Sequence, residues 1–396
     1  MKVLWIIDNK LRELWGIHDI RKELKTANIE LILCNKFNWN LGIDYFEPEI
    51  IILPNVRDGS KFKATVEKAV KKNIKCILYR SEGLNYVESY MEKQHPTDML
   101  EKLTQVFLWA NIEGEVAKKR GFENKLVTVG GLRFIFKKHF KKDEKIKTIG
   151  IPTTGRYTTN FLDINIPRYI YTRVQSDSTF ARGGIKNEIN FLFCISDIFA
   201  KYKGKFKFII KPHPFENPQI YKDAFSNFDE NIEIEEDPDI RVFLSKVDVI
   251  LNQYSSANIH ALKSGIPVLN LTKIIPWNDD FELIKNQYLP TNYGIIMKDH
   301  EELDEYLNKY SPKKIYDEIV KKGDLESIEE ISPTLDSIKI FATELINSAK
   351  TTKKNKNNIF LRYINFFKYY LKELSIIFFD KRFTLYHSIK KVIVDY

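Results

Sequence analysis

The sequence predicts an α/β protein made of two doubly wound parallel sheets, each covered by helices, with a basic helical tail. Short, continuous apolar runs alternate with segments of helical apolar spacing along the first 350 residues. At 396 residues the chain is longer than a single hydrophobic core usually serves. A highly charged stretch, Lys137–Lys147 (KKHFKKDEKIK), separates two such series and reads as a linker. Apolar runs without alternation suit strands whose two faces are both covered, as in parallel sheets flanked by helices.

The first series opens with Lys2–Ile7 (KVLWII), followed by Leu11, Leu14, Ile17, Ile20 and Leu24 at helical spacing. Further strands are expected at Ile29–Cys34, Ile50–Leu53, Ile74–Tyr79, Val106–Ala110 and Leu126–Val129, with helices over 61–72 and 112–120. The second series has strands at Thr148–Ile151, Phe206–Ile210, Ile232–Ile234, Val247–Leu251 and Pro267–Leu271. Its helices fall near 187–201, 299–308, 311–321 and 334–349, while 152–186 is poorly patterned. Two Rossmann-like domains, 1–140 and 145–350, meeting at a cleft are the economical arrangement, followed by a tail at 353–396.

Composition narrows the class. Hydrophobic residues at 43% and charged residues at 29% fit a folded chain rather than a disordered one. The three cysteines (Cys34, Cys76, Cys194) each sit in an apolar run and read as buried thiols, without disulfide or zinc spacing. No stretch approaches the ~18 apolar residues of a membrane span, and MKVLWIID is too short for a signal peptide. A cytoplasmic protein is expected.

The net charge of +9 is uneven. Residues 351–396 carry ten Lys or Arg and three Asp or Glu, which leaves the first 350 residues at only +2. That near-neutral body argues against nucleic acid as a partner. The tail also holds 11 of the 52 aromatic residues. Phe360, Tyr363, Ile364, Phe367, Tyr370, Leu371 and Leu374 recur at helical spacing among lysines. A basic aromatic amphipathic helix suits an anionic membrane surface, here the inner face of the plasma membrane. Packing on the body, or on a second copy in a homo-oligomer, is the alternative.

Ligands of open α/β sheets bind beyond the carboxyl ends of strands, and three such places carry chemistry. Lys211-Pro212-His213-Pro214-Phe215-Glu216-Asn217-Pro218 follows the FKFII run, with prolines stiffening the backbone around His213. His213 can hydrogen-bond or protonate a phosphate, and Lys211 can add positive charge; otherwise His213 only closes a proline turn. Asn252-Gln253-Tyr254-Ser255-Ser256-Ala257-Asn258 follows VDVIL and starts a helix. Ser255 and Ser256 there suit an anion at the helix start or simple N-capping, which are compatible. Arg80-Ser81-Glu82-Gly83 follows IKCILY, where Glu82 can act as a general base. Within 152–186, Asp177 in Gln175-Ser176-Asp177-Ser178-Thr179 is a further carboxylate candidate and Asp163 its rival. Either Asp can equally form a surface turn. No GxGxxG, P-loop or GxSxG motif is present, and the histidines lack metal-ligand spacing.

The KPHP loop, the YSS helix start with its downstream SGIPVL, and the SEG turn resemble bacterial GT-B glycosyltransferases of surface-polysaccharide synthesis. With the opening MKVLWIIDNKLREL they resemble above all the surface carbohydrate biosynthesis group, related to capsule polymerases, bacterial sialyltransferases and retaining Kdo transferases of lipopolysaccharide synthesis. The resemblance spans about residues 1–350. It implies that His213, Ser255 and Ser256, with Lys211 and Asn258 beside them, hold the phosphate of a CMP-activated sugar such as CMP-Kdo. It also implies that Glu82 is the acid/base carboxylate and Asp177 a nucleophile. Ser81 stands where many sialyltransferases carry a second acidic residue. The implied reaction moves a nonulosonic sugar to a glycan or lipid-linked acceptor without cofactor or metal. The alternatives are a CDP-polyol phosphotransferase, a sugar-nucleotide epimerase of GT-B-like fold, and a non-catalytic scaffold of polysaccharide assembly.

Overall fold

In the computed structural model, residues 1–350 are described except 9, 58–59, 61, 81–87, 133–143, 155–177, 214–215, 226–229, 238, 254, 277–291 and 335. The tail and the calls on Glu82, Asp163 and Asp177 therefore lie outside the described residues. The described residues divide into two units, one within 1–135 together with 330–350, the other within 136–329.

The first unit contains a six-stranded parallel sheet. Its strands are β1 (Lys2–Ile7), β2 (Glu30–Asn35), β3 (Ile50–Leu53), β4 (Lys75–Tyr79), β5 (Gln105–Leu108) and β6 (Leu126–Thr128), in the order β2-β1-β3-β4-β5-β6. Register is parallel throughout, with Trp5 opposite Leu33 on one side and Ile52 on the other. Val3, Leu4, Ile6 and Ile50 to Leu53 are completely buried, as expected for central strands covered on both faces. Each such side chain contributes about 1.5–3 kcal/mol of apolar burial. On one face the helix Phe62–Lys71 turns Phe62, Val66 and Ala69 inward at i, i+4 and i+7.

The helix Ser337–Lys350 also belongs to this unit, although its place in the sequence assigns it to the second half. The physical reason is an aromatic cluster. Phe341, fully buried, stacks on Trp5 at 5.1 Å and meets Tyr79 and Phe107 edge-on at 5.1 and 5.0 Å. Farther along the helix, Lys75 Nζ donates to the Ser348 carbonyl at 2.8 Å, and the Ser348 hydroxyl donates to Gln105 Oε1. These contacts tie the helix to β1, β4 and β5.

The second unit holds another six-stranded parallel sheet. Its strands are β7 (Thr148–Pro152), β8 (Lys207–Lys211), β9 (Ile232–Ile234), β10 (Val249–Asn252), β11 (Val268–Asn270) and β12 (Ile295–Ile296), in the order β12-β11-β10-β7-β8-β9. A helix over Ser178–Lys201 links β7 to β8, starting about nine residues earlier than its apolar pattern suggests. Gly150 in β7 is where the helix Ile240–Lys246 comes closest. A Cβ there would lie 2.7 Å from the Phe243 ring and 2.9 Å from Val247, so a side chain would push that helix off the sheet. Gly265, at φ +81°, turns the chain out of the helix Ala257–Lys263 toward β11.

Phe341 is the residue by which the returning helix is anchored. Phe341→Ala is expected to lower unfolding free energy by about 3–5 kcal/mol, the usual range for emptying a large aromatic site. Urea denaturation followed by tryptophan fluorescence checks this, because Trp5 stacks directly on the deleted ring.

Candidate functional site

The order of the second sheet places its topological switch point between β7 and β10. The chain runs from β7 toward β8 and β9 on one side and from β10 toward β11 and β12 on the other. With right-handed crossovers the loops after β7 and β10 part to opposite faces, leaving a crevice at their carboxyl ends. Three sequence-predicted residues lie in loops that leave this edge. His213 leaves β8, one strand beyond β7; Ser255 and Ser256 leave β10 on the opposite side. Two strand spacings separate β8 from β10, about 10 Å, with Thr153 at the end of β7 between them.

Each loop is held from beneath. The carboxylate of Glu216, 7% exposed, accepts at Oε2 from the His213 backbone N–H at 3.0 Å, from the Tyr221 hydroxyl at 2.9 Å and from the Thr153 hydroxyl. In return the Glu216 N–H donates to the His213 carbonyl at 2.8 Å. His213 is half-buried. Burial, with the neighbouring Glu216 charge, holds the Tyr221 phenol well above its usual range, so the hydroxyl stays protonated and able to donate.

On the other side, Asn252 shapes the turn. Its Oδ1 accepts from the N–H groups of Gln253 and Ser255 at 2.6 and 3.3 Å, and its Nδ2 donates to Asn258 Oδ1 at 2.6 Å. The Ser255 hydroxyl accepts from the Ala257 N–H at 3.2 Å, so Ser255 caps the helix start, while the Ser256 hydroxyl makes no cap bond. Gln253 and Asn187 exchange two amide hydrogen bonds, at 3.0 and 3.3 Å, joining the helix after β7 to the loop after β10 across the switch point. Both are at most 1% exposed, and Thr272 Oγ1 donates to the Gln253 carbonyl at 3.0 Å.

Two expected phosphate ligands are placed otherwise. Lys211 is 8% exposed, and its ammonium donates to the carbonyls of Glu235 and Asp237 in the loop after β9. Burial lowers its pKa. As the last residue of a strand it points into the sheet's flank and braces that loop. Asn258 is fully buried and serves the Asn252 turn. Glu216, Gln253 and Asn187 were missed as functional residues by sequence reasoning. Glu216 stood inside the KPHPFE motif three residues after His213, a spacing that suits a carboxylate closing its own loop. The Asn187–Gln253 pair, 66 residues apart, left no such signal.

In the first unit, the residue that precedes Ser81 is built into the core. Arg80, 3% exposed, pairs with Glu113 at 2.9 Å. Glu113 also accepts from the Trp109 N–H at 2.6 Å, and Trp109 Nε1 donates to the Arg80 carbonyl at 3.0 Å. Burial raises the Glu113 pKa, opposed by the Arg80 charge and the Trp109 N–H. Tyr79 donates to the Gly130 carbonyl at 3.2 Å and accepts from the Leu132 N–H at 2.9 Å. Trp5, Glu13, Ile17, Tyr79, Arg80 and Trp109 line a small, mostly apolar pocket here.

Two Rossmann-like units, each a six-stranded parallel sheet flanked by helices, define the GT-B type of architecture. Among solved structures the chain is similar to S. aureus MnaA in its co-structure with UDP, at 14% identity and TM-score 0.51, covering 88% of this chain and 96% of that one. It is similar to a UDP-N-acetylglucosamine 2-epimerase at 12% identity and TM-score 0.53, covering 90% and 99%. A structure of the wall teichoic acid polymerase TagF with CDPG matches at 11% identity and TM-score 0.52, covering 88% of each chain. At these identities the likeness is one of fold. No family model and no curated protein matches the chain.

Behind the first unit's edge lies a titratable probe of the fold. His95 is fully buried, and neither ring nitrogen has a hydrogen-bond partner among the described residues. Burial, reinforced by the charges of Arg80 and Arg120, depresses its pKa to about 3. The folded state thus keeps His95 neutral while the unfolded chain takes up a proton near pH 6.5. Stability from this group is complete above that pH and falls by up to about 1.4 kcal/mol per pH unit as pH drops toward 3. His95→Phe is expected to flatten that part of the profile, measured as denaturant midpoints of both proteins between pH 7 and 4.

Proposed function

We propose that the protein is an enzyme of bacterial surface-glycan synthesis that acts on a nucleotide-activated sugar or polyol. The nucleotide's phosphate is held at the carboxyl edge of the second sheet. The observation that carries this reading is the convergence of His213 and the Ser255–Ser256 turn on either side of β7 at the switch point, each braced by a buried polar network. Preorganised donors of this kind stabilise charge that develops on a phosphate oxygen. His213 donates from its imidazole and the Ser256 hydroxyl, which makes no cap bond, completes the anion site.

Transfer from a CMP-activated sugar is supported by the HP, SS and SEG motifs together. Glu82 is the proposed acid/base carboxylate and Asp177 the proposed nucleophile in that reaction. A second reading, epimerisation of a UDP-sugar, is supported by the fold likeness to a UDP-N-acetylglucosamine 2-epimerase over 90% of this chain. The polymerase likeness keeps polyol-phosphate transfer beside it. The three reactions differ in whether they require an acceptor and in the bond they form, so product analysis separates them.

Ligand binding tests the common core. Among CMP, CDP, UDP and their sugar conjugates, at least one is expected to raise the melting temperature, and His213→Ala is expected to weaken its binding at least about tenfold. That loss corresponds to one hydrogen bond to a charged group, about 1.5–3 kcal/mol. A full panel without any thermal shift would sink the proposal.

We also propose that 353–396 holds the enzyme on an anionic membrane surface, where a lipid-linked acceptor would lie. Among the described residues no helix is long and apolar enough to cross a membrane. Truncation after Lys350 leaves the helix that carries Phe341 intact. It is expected to shift the protein from the vesicle-bound to the free fraction in flotation with anionic vesicles, with its melting temperature unchanged. A truncated chain that still floats with vesicles would rule out this role.

A further inference from the structure

We infer that Glu216 is the positioning residue of the second unit's site, acting on the ligand through His213. This rests on the reading that His213 contacts the nucleotide phosphate. The argument begins with charge. A carboxylate at the edge of an anion site repels the ligand it is meant to serve, and burying it carries a desolvation penalty. Glu216 is nevertheless 93% covered and sits three residues from the histidine that meets the phosphate. Its geometry supplies the reason. One oxygen takes the backbone N–H of His213, the hydroxyl of Tyr221 and the hydroxyl of Thr153.

Those three donors come from three separate elements: the loop after β8, the helix Pro218–Phe225 and the end of β7. A neutral side chain accepts such bonds more weakly, since hydrogen bonds to an ionised group are roughly twice as strong as neutral ones. The reciprocal bond from Glu216 N–H to the His213 carbonyl closes the loop on itself. Both backbone polar groups of His213 are therefore engaged by one residue. Together with Pro212 this removes the main-chain freedom that His213 would otherwise lose on binding, and the imidazole is preset before the ligand arrives. Thr153 extends the same oxygen's reach to the strand that borders the switch point, since its own N–H donates to the Lys211 carbonyl at 3.0 Å.

The experiment uses the full chain with four substitutions, Glu216→Ala, Glu216→Gln, Tyr221→Phe and Thr153→Val. Two quantities are measured: hydrogen exchange at the His213 amide, and calorimetric affinity for whichever of UDP, CDP or CMP binds the wild type. Glu216→Ala is expected to speed exchange at His213 at least tenfold and weaken nucleotide binding at least tenfold. Glu216→Gln, which keeps an acceptor oxygen but makes weaker, neutral bonds, is expected to fall between the wild type and Glu216→Ala in affinity. Tyr221→Phe and Thr153→Val each remove one anchor and are expected to weaken binding two- to fivefold, so the test stands even where Glu216→Ala fails to fold. Affinity and exchange both unchanged in these variants would overturn the inference. Equal losses in Glu216→Ala and Glu216→Gln would overturn it as well, because the acceptor would then not be what matters. A wild type that binds none of the nucleotides defeats the functional reading, and the exchange measurement still decides separately whether Glu216 holds the loop.

Discussion

A parallel sheet delivers every functional loop from the ends of buried strands, so the polar groups that leave the core there must be paired before the loop can take any definite shape. Both units meet this constraint with one buried carboxylate. In the first, Glu113 receives the guanidinium of Arg80 and the N–H of Trp109. In the second, Glu216 receives the N–H of His213 and two hydroxyls. Each lies just beyond a strand end, and each fixes the residue from which a sequence motif departs. Glu113 is bonded at both of its oxygens, whereas the three bonds to Glu216 all fall on Oε2. A buried ion with its partner removed costs about 3–5 kcal/mol, whereas the satisfied pair holds the backbone in one arrangement.

Around the second site, the partners are mostly neutral. The Asn187–Gln253 pair and the Asn252 turn are built from amides, and the nearby cation, Lys211, is turned toward the carbonyls of 235 and 237. The donors left for the proposed anion at the second sheet's edge are thus a hydroxyl and an imidazole rather than an ammonium. Such donors are rigid, because the groups that orient them are buried, and they need little reorganisation when charge develops. A site of this kind selects by geometry more than by bulk charge, which agrees with the near-neutral body of the chain.

The strands were legible because the physics that makes them is local. Ile50–Leu53 and Lys2–Ile7 are runs that only a doubly covered sheet can bury, and their limits agree with the structure to the residue. The strand Ile295–Ile296 escaped because two residues carry no pattern. The start of the helix at Ser178 was hidden by a segment with little apolar spacing. Placing the last helix required knowledge that no local pattern contains. Ser337–Lys350 is amphipathic wherever it docks, and only the match of Phe341 to Trp5, Tyr79 and Phe107 assigns it to the first sheet. The site was half legible for the same reason. His213 and Ser255 follow strands and sit in short motifs, whereas the orientation of Lys211 depends on a loop 24 to 26 residues away.

The return of the chain to its first sheet bears on the order of events during synthesis. When residue 136 leaves the ribosome all six strands of that sheet exist, yet Trp5, Tyr79 and Phe107 still lack the phenyl ring that covers them. About two hundred further residues must be translated before Phe341 emerges, at roughly 5–20 residues per second. The second unit, contiguous in sequence, has all its residues available first and folds as an insert within an unfinished partner. Through those tens of seconds the nascent chain carries an open aromatic face that only the arrival of Phe341 closes.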